Sequence, residues 1–175
     1  MKNIFAELFA KKKKTQDAAQ QPKDVSAGLR SMVLGLSPAE IGITPNSFPH
    51  QVWGIVMETG MRDGYYTLAV LADGTASLYF SNGGGIIGSG EKLEVRQVSQ
   101  QFIGSANRFV GSSKPAASLE PPSQGNTEFF FLTFQGVQTY AAPEVELGEK
   151  RDSLAPLFHA GHAVIAAVRQ SQSKV

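Results

Sequence analysis

Cysteine is absent from the 175 residues, which excludes a disulfide framework, thiolate metal sites and thiol catalysis while leaving the redox compartment open. Charge is scarce as well. Charged residues make up 18% of the chain, below the roughly one quarter usual for soluble domains. Sixteen basic against 15 acidic side chains leave a net charge of +1, so no global electrostatic footprint for nucleic acid exists and none is expected as a partner. Long hydrophobic runs are missing too: stretches such as residues 129–132 and 163–168 fall well short of the ~18 apolar residues that a membrane-spanning helix needs. What is present is 42% apolar residues, enough for a real core, in a length that suits one domain with tails.

The little charge there is sits unevenly. Residues 1–30 carry seven basic side chains against three acidic ones, a balance of +4 that leaves −3 for the rest. Within them, residues 11–24 (KKKKTQDAAQQPKD) contain no large apolar side chain and cannot offset their ordering entropy by burial, so they read as a polar basic linker. Residues 1–10 read as an amphipathic helix: Ile4, Phe5, Leu8 and Phe9 span an arc of about 140° at ~100° per residue. Lys11, Lys12, Lys13 and Lys14 follow at once. A secretory signal peptide fits poorly, because Glu7 interrupts the apolar stretch and the lysines come after it. Such a peptide has three fates. It can lie weakly and reversibly in a bilayer interface, each lysine adding ~1 kcal/mol against an anionic leaflet; enter a groove on a partner protein; or pack on its own domain or a second copy. A cytoplasmic protein is expected, with the inner face of the membrane as the surface the tail could reach.

Residues 25–175 read as a single α+β domain. Leu29, Met32, Val33 and Leu36 recur at helical spacing, and Ser37, Pro38 and Glu40 form a capping-box pattern. Residues 52–59 (VWGIVMET) are a β-rich run apolar on both faces, as in a strand covered on both sides. Residues 65–72 and 75–80 flank Asp73-Gly74, a hairpin dipeptide. After the glycine-rich residues 81–90, Val95, Val98, Phe102, Ala106 and Phe109 form one stripe of a helix of about five turns. Residues 111–126 are rich in Ser, Pro and Gly and read as a mobile surface loop. Residues 128–134 and 137–141 give a second hairpin, and a last helix runs from Ser153 to about Gln170 with Gly161 at the centre of its apolar stripe. The order βββ-α-ββ-α predicts a five-stranded antiparallel sheet carrying two long helices. In element order it resembles profilin-like or roadblock-like α/β sandwiches.

Several constellations bear on chemistry. Gly83, Gly85 and Gly88 match G-x-G-x-x-G by spacing, but the preceding strand belongs to an antiparallel hairpin and no acid follows at the distance a dinucleotide fold requires. With Asn82 and Ser89 the loop is a candidate small-ligand or phosphate site, through free backbone N–H groups near a helix N-terminus. Glu91 and Glu94 oppose an anion there. His159 and His162, three apart on the last helix, are weak candidates for a metal pair, with Glu144, Glu146, Glu149 and Asp152 in what reads as an irregular loop nearby. Glu58 and Asp63 offer a carboxylate pair, though acids at strand ends are usually solvated. Ser81, Ser89 and Ser153 lack any nucleophile motif. No catalytic residue, cofactor or firm metal site is assigned.

The sequence therefore points first to a non-enzymatic interaction or scaffold module, binding a protein partner or itself and tethered by the N-terminal peptide. A ligand domain using residues 81–90 comes second, and metal-dependent activity at His159 and His162 third. Element order alone carries no function.

Overall fold

The computed structural model describes residues 22–172; the N-terminal peptide and most of the polar linker lie outside them. Helix α1 (Pro22–Leu34) comes first, and a short 3-10 turn (Pro38–Ile41) follows it. Ser37 and Glu40 close that turn as the expected capping box, the Ser37 amide donating to Glu40 Oε2 at 2.8 Å. Strands β1 (Val52–Met61), β2 (Gly64–Leu71) and β3 (Ala76–Phe80) form the expected meander. Strand β4 (Gly85–Ile86) precedes α2 (Leu93–Phe109). Then come β5 (Lys114–Pro115), β6 (Asn126–Thr133), β7 (Gly136–Pro143), the short α3 (Glu144–Gly148) and the long α4 (Ala155–Gln172).

The class is α+β, with an antiparallel sheet of seven strands in the order β4-β3-β2-β1-β6-β7-β5. The sequence led to five. The two extra strands are two-residue edge pieces, Gly85–Ile86 and Lys114–Pro115, in segments whose Gly, Ser and Pro content marks loops; so short a pairing carries no period for a sequence to display. The β2–β3 connection is also longer than a two-residue turn. The ladder ends at Val70 opposite Ala76, Asp73 Oδ1 accepts the Thr75 amide at 2.9 Å, and the positive φ of 92° falls on Gly74 alone. Nor is residues 144–149 an irregular loop, because a turn of helix occupies it.

Both faces of the sheet are buried. On one, Ile55, Met57, Leu68, Val70, Phe129 and Phe131 meet α2 and α4 through Val95, Phe102, Leu157 and Val164. On the other, Trp53, Val56, Ala69, Leu71, Tyr79, Phe130 and Leu132 meet α1 through Leu29, Val33 and Leu34. Alternate side chains of the run Phe129 to Leu132 thus enter opposite cores, which is why the strand shows no polar face. The ladder between β1 and β6 slips between Val52 and Gly54. Asn107 on α2 engages the displaced Val52, accepting its amide at 2.9 Å and donating to its carbonyl at 3.0 Å. That pairing anchors the C-terminal end of α2 to the start of β1.

Gly161 is where α4 crosses the sheet. A Cβ there would lie 2.7 Å from Met57 Sδ and 3.2 Å from the Phe102 ring. The thioether can swing aside, whereas the buried ring cannot. Gly161→Ala should therefore cost about 1–3 kcal/mol and Gly161→Leu more, read as a lower urea midpoint at unchanged slope; a Leu variant that unfolds like the wild type would disprove this packing.

Candidate functional site

The most buried charges of the described fold lie between α1 and the sheet. Arg30 falls within the apolar stripe of α1, between Leu29 and Val33, and Glu58 faces it from β1 with no exposed surface. Arg30 Nε and Nη2 donate to the Glu58 carboxylate at 2.9 and 2.8 Å, a bidentate pair, and Thr67 Oγ1 donates to the same group at 2.6 Å. The guanidinium also lies 5.7 Å from the ring centres of Tyr65 and Phe130. Burial pushes the Glu58 carboxyl above the usual carboxylate range, while Arg30 and Thr67 pull it back. Burial opposes the charge on Arg30 as well, yet the hydrogen bonds and charge of Glu58 outweigh it and the guanidinium is held above its ordinary value. Both oxygens of the Glu58 carboxylate are engaged, so the pair holds structure and is no free acid or base. Glu58 thus forms no carboxylate pair with Asp63, which is exposed in the turn after β1.

A cleft of about 330 Å³ opens beside this pair, walled by Val25, Ser26 and Leu29 of α1 and by Tyr79, Gly84, Gly85 and Ile87. The Tyr79 hydroxyl is buried without a hydrogen-bond partner, and burial pushes its phenol far up. The glycine-rich candidates divide around this cleft. Gly85 pairs in β4 opposite Tyr79, and Asn82 is exposed in the turn before it. The Gly88 amide donates to Ser77 Oγ at 3.3 Å, and Ser89 is buried with its hydroxyl unpartnered. Gly83, Gly85 and Gly88 all take positive φ. Helix α2 starts only at Leu93, after the 3-10 turn Ser89–Glu91. The free amides that an anion would need near Gly88 are thus partly engaged or belong to a 3-10 turn.

A second cleft of about 300 Å³ lies at the β2–β3 turn, between Phe48 and His50 on one side and Arg96, Ser99, Gln100 and Ile103 of α2 on the other. Leu71 and Asp73 complete its wall. Ser99 is 2% exposed and its hydroxyl has no partner; Asp73 Oδ2 has none either. An unmade buried hydrogen bond costs about 1–3 kcal/mol. None of this cleft's polar residues was singled out as a site from sequence, because they come from three separated segments.

His159 and His162 are not brought together as ligands. His162 is half-buried, 3.3 Å from the Tyr66 hydroxyl and with its ring centre 4.3 Å from that of Phe158, while His159 is exposed. Three of the four acids nearby have other partners: Arg151 binds Glu146 at 2.7 Å and also Glu149, and Asp152 accepts the Tyr140 hydroxyl at 2.9 Å. Among the described residues no group of three or more His, Asp or Glu side chains is placed to hold a metal, and no helix is long and apolar enough to cross a membrane. Ile4, Phe5, Leu8, Phe9 and Lys11 to Lys14 lie outside the described residues. No family model, curated protein or solved structure matches the chain.

Two outcomes follow from the buried groups. Arg30→Met strands a carboxylate and should cost about 3–5 kcal/mol at neutral pH, whereas Arg30→Met with Glu58→Leu should regain most of that loss. In the single variant, burial raises the folded-state pKa of Glu58, and an acid so raised stabilises at low pH and loses that contribution as pH rises. The deficit should therefore shrink from about pH 7 toward pH 5 in urea titrations. For His162, burial and then His159 lower the pKa from 6.5. The unfolded chain then binds the proton better, so stability should fall as pH drops below 6.5, and His162→Phe should flatten that slope in thermal melts.

Proposed function

We propose that this chain is a non-enzymatic interaction module whose rigid body receives an extended, apolar segment of a partner polypeptide and whose N-terminal peptide supplies a second point of attachment. The cleft between α1 and the β3–β4 turn carries the reading. Its walls are mostly apolar side chains and bare glycine backbone, joined by Ser26 and Tyr79, with Ile87 in its lining 38% exposed. It borders the outermost strand of the sheet, β4, only two residues long. A sheet edge beside an apolar pocket suits strand addition, in which the guest's main chain pairs along the edge and one side chain fills the pocket. The position of α1 adds support: the helix that forms one wall is the first element after the amphipathic peptide and its basic linker in the sequence.

The other two readings have less behind them. A phosphate in the glycine-rich loop would compete with Ser77 for the Gly88 amide, and a metal at His159 and His162 would draw on one exposed and one aromatic-packed ring.

The test uses the full chain, the Ile87→Asp variant and the Phe5→Ala/Phe9→Ala variant. A partner captured by the wild type and reconstituted from purified components should bind Ile87→Asp at least about tenfold more weakly, a loss of ~1.4 kcal/mol. Melting temperature should barely move in Ile87→Asp, since exposed positions typically change stability by about ±0.5 kcal/mol. Equal binding by Ile87→Asp would remove the cleft from the interface. For the tail, salt-sensitive sedimentation with anionic vesicles that requires both phenylalanines indicates lipid attachment. A salt-insensitive change in oligomer size indicates self-association instead.

A further inference from the structure

We propose that the cleft at the β2–β3 turn binds a small zwitterion, a free α-amino acid with a large apolar side chain, independently of the interaction surface beside α1. The inference begins with two opposite charges that share one cavity without meeting. Asp73 and Arg96 both line it, and no ion pair joins them. Asp73 spends Oδ1 on the Thr75 amide at 2.9 Å, which fixes the carboxylate and leaves Oδ2 buried without a partner. Arg96 spends Nε on the Gly90 carbonyl at 3.3 Å, which holds the guanidinium at the rim. Beside it, Ser99 brings a hydroxyl that is unpartnered although the residue is 2% exposed, and Gln100 brings an amide one residue further on.

These groups are complementary to a molecule with two charged ends. A carboxylate accepts from Arg96 and Gln100 on α2, and an ammonium is drawn to the Asp73 carboxylate; Asp73 Oδ2 and the Ser99 hydroxyl, enclosed and unpartnered in the free protein, gain partners when the ligand seats against them. The rest of the lining is apolar. Leu71 and Ile103 form part of the wall, and Phe48 and His50, which meet edge to face at 5.3 Å, add an aromatic corner against which a hydrophobic side chain can pack. The volume of about 300 Å³ lies at the small end of ligand cavities. It suits one amino acid and is too small for a peptide or a nucleotide. A simple anion would leave Asp73 unanswered, and a simple cation would leave Ser99 and Arg96 so.

The test titrates the full chain with L-phenylalanine, 3-phenylpropionate and phenethylamine, following amide shifts by NMR. The amino acid should saturate, with shifts concentrated at residues 72–75 and 96–104. Each compound lacking one charge should bind at least about tenfold more weakly. Arg96→Gln should weaken L-phenylalanine by a similar factor and leave phenethylamine unaffected, and Asp73→Asn should do the reverse with 3-phenylpropionate as the insensitive ligand. Should Asp73→Asn disturb the turn, Arg96→Gln and the three compounds still decide. The proposal is overturned by no saturation up to about 10 mM, by three compounds of equal affinity, by an Arg96→Gln variant that weakens all alike, or by shifts that map to another surface.

Discussion

A guanidinium and a carboxylate that water barely reaches decide how one side of this protein is assembled. Removing Arg30 and Glu58 from solvent carries a desolvation cost that ordinary packing would avoid, and that cost is offset only at one relative position of helix and sheet. At that position the pair is bidentate, Thr67 donates to the same carboxylate, and the aromatic faces of Tyr65 and Phe130 flank the cation. Apolar contacts between α1 and the sheet tolerate sliding by a fraction of a turn, whereas the bidentate geometry does not. Packing through Leu29, Val33 and Leu34 supplies the attraction, and the ion pair supplies the register. Because Val25 and Ser26 lie about one turn before Arg30, fixing Arg30 also fixes the cleft they wall and the point from which the N-terminal peptide departs.

Much of this arrangement was legible in the sequence where a period or a rigid local preference operates. The meander, the second hairpin and the two long helices follow from alternation, turn residues and a 3.6-residue stripe. Gly161 could be singled out because a glycine at the centre of an apolar helix face has few uses other than close approach, and Met57 and Phe102 are what it approaches. The run Val52 to Thr59, apolar on both faces, marked a strand covered on both sides before any cover for the second side was evident.

What stayed hidden depends on contacts between segments far apart in the chain. Arg30 was legible only as one more basic residue near the tail, and Glu58 as an acid at a strand end. Each nevertheless occupies a core-facing position of its own element: Arg30 shares the stripe of Leu29 and Val33, and Glu58 follows Val56 in the strand's alternation. A charge in the buried phase of both periods was the available signal, and pairing the two requires knowing that α1 covers that face. The edge strands β4 and β5 carry no such signal, since two paired residues have no periodicity. The β2–β3 cleft is illegible for a third reason: Phe48, Asp73 and Ser99 are neighbours only after β1 and the α2 crossover have closed.

The glycine-rich segment between β3 and α2 takes its meaning from the same closure. Its spacing invites a phosphate, but its geometry answers a steric demand. Gly90 presses so closely on the Gly74 carbonyl that any Cβ there would collide with it, and Gly85 passes over Tyr79 with a Cβ position only 2.6 Å from that side chain. The segment borders both clefts: Gly84 and Gly85 wall the apolar one, while the Gly90 carbonyl holds Arg96 at the rim of the polar one. A bulkier connection would push the β2–β3 turn away from α2 and separate Asp73 from Ser99 and Arg96. The glycines therefore act by absence of side chains, letting a crossover run tightly enough that the two clefts can stand on either side of it.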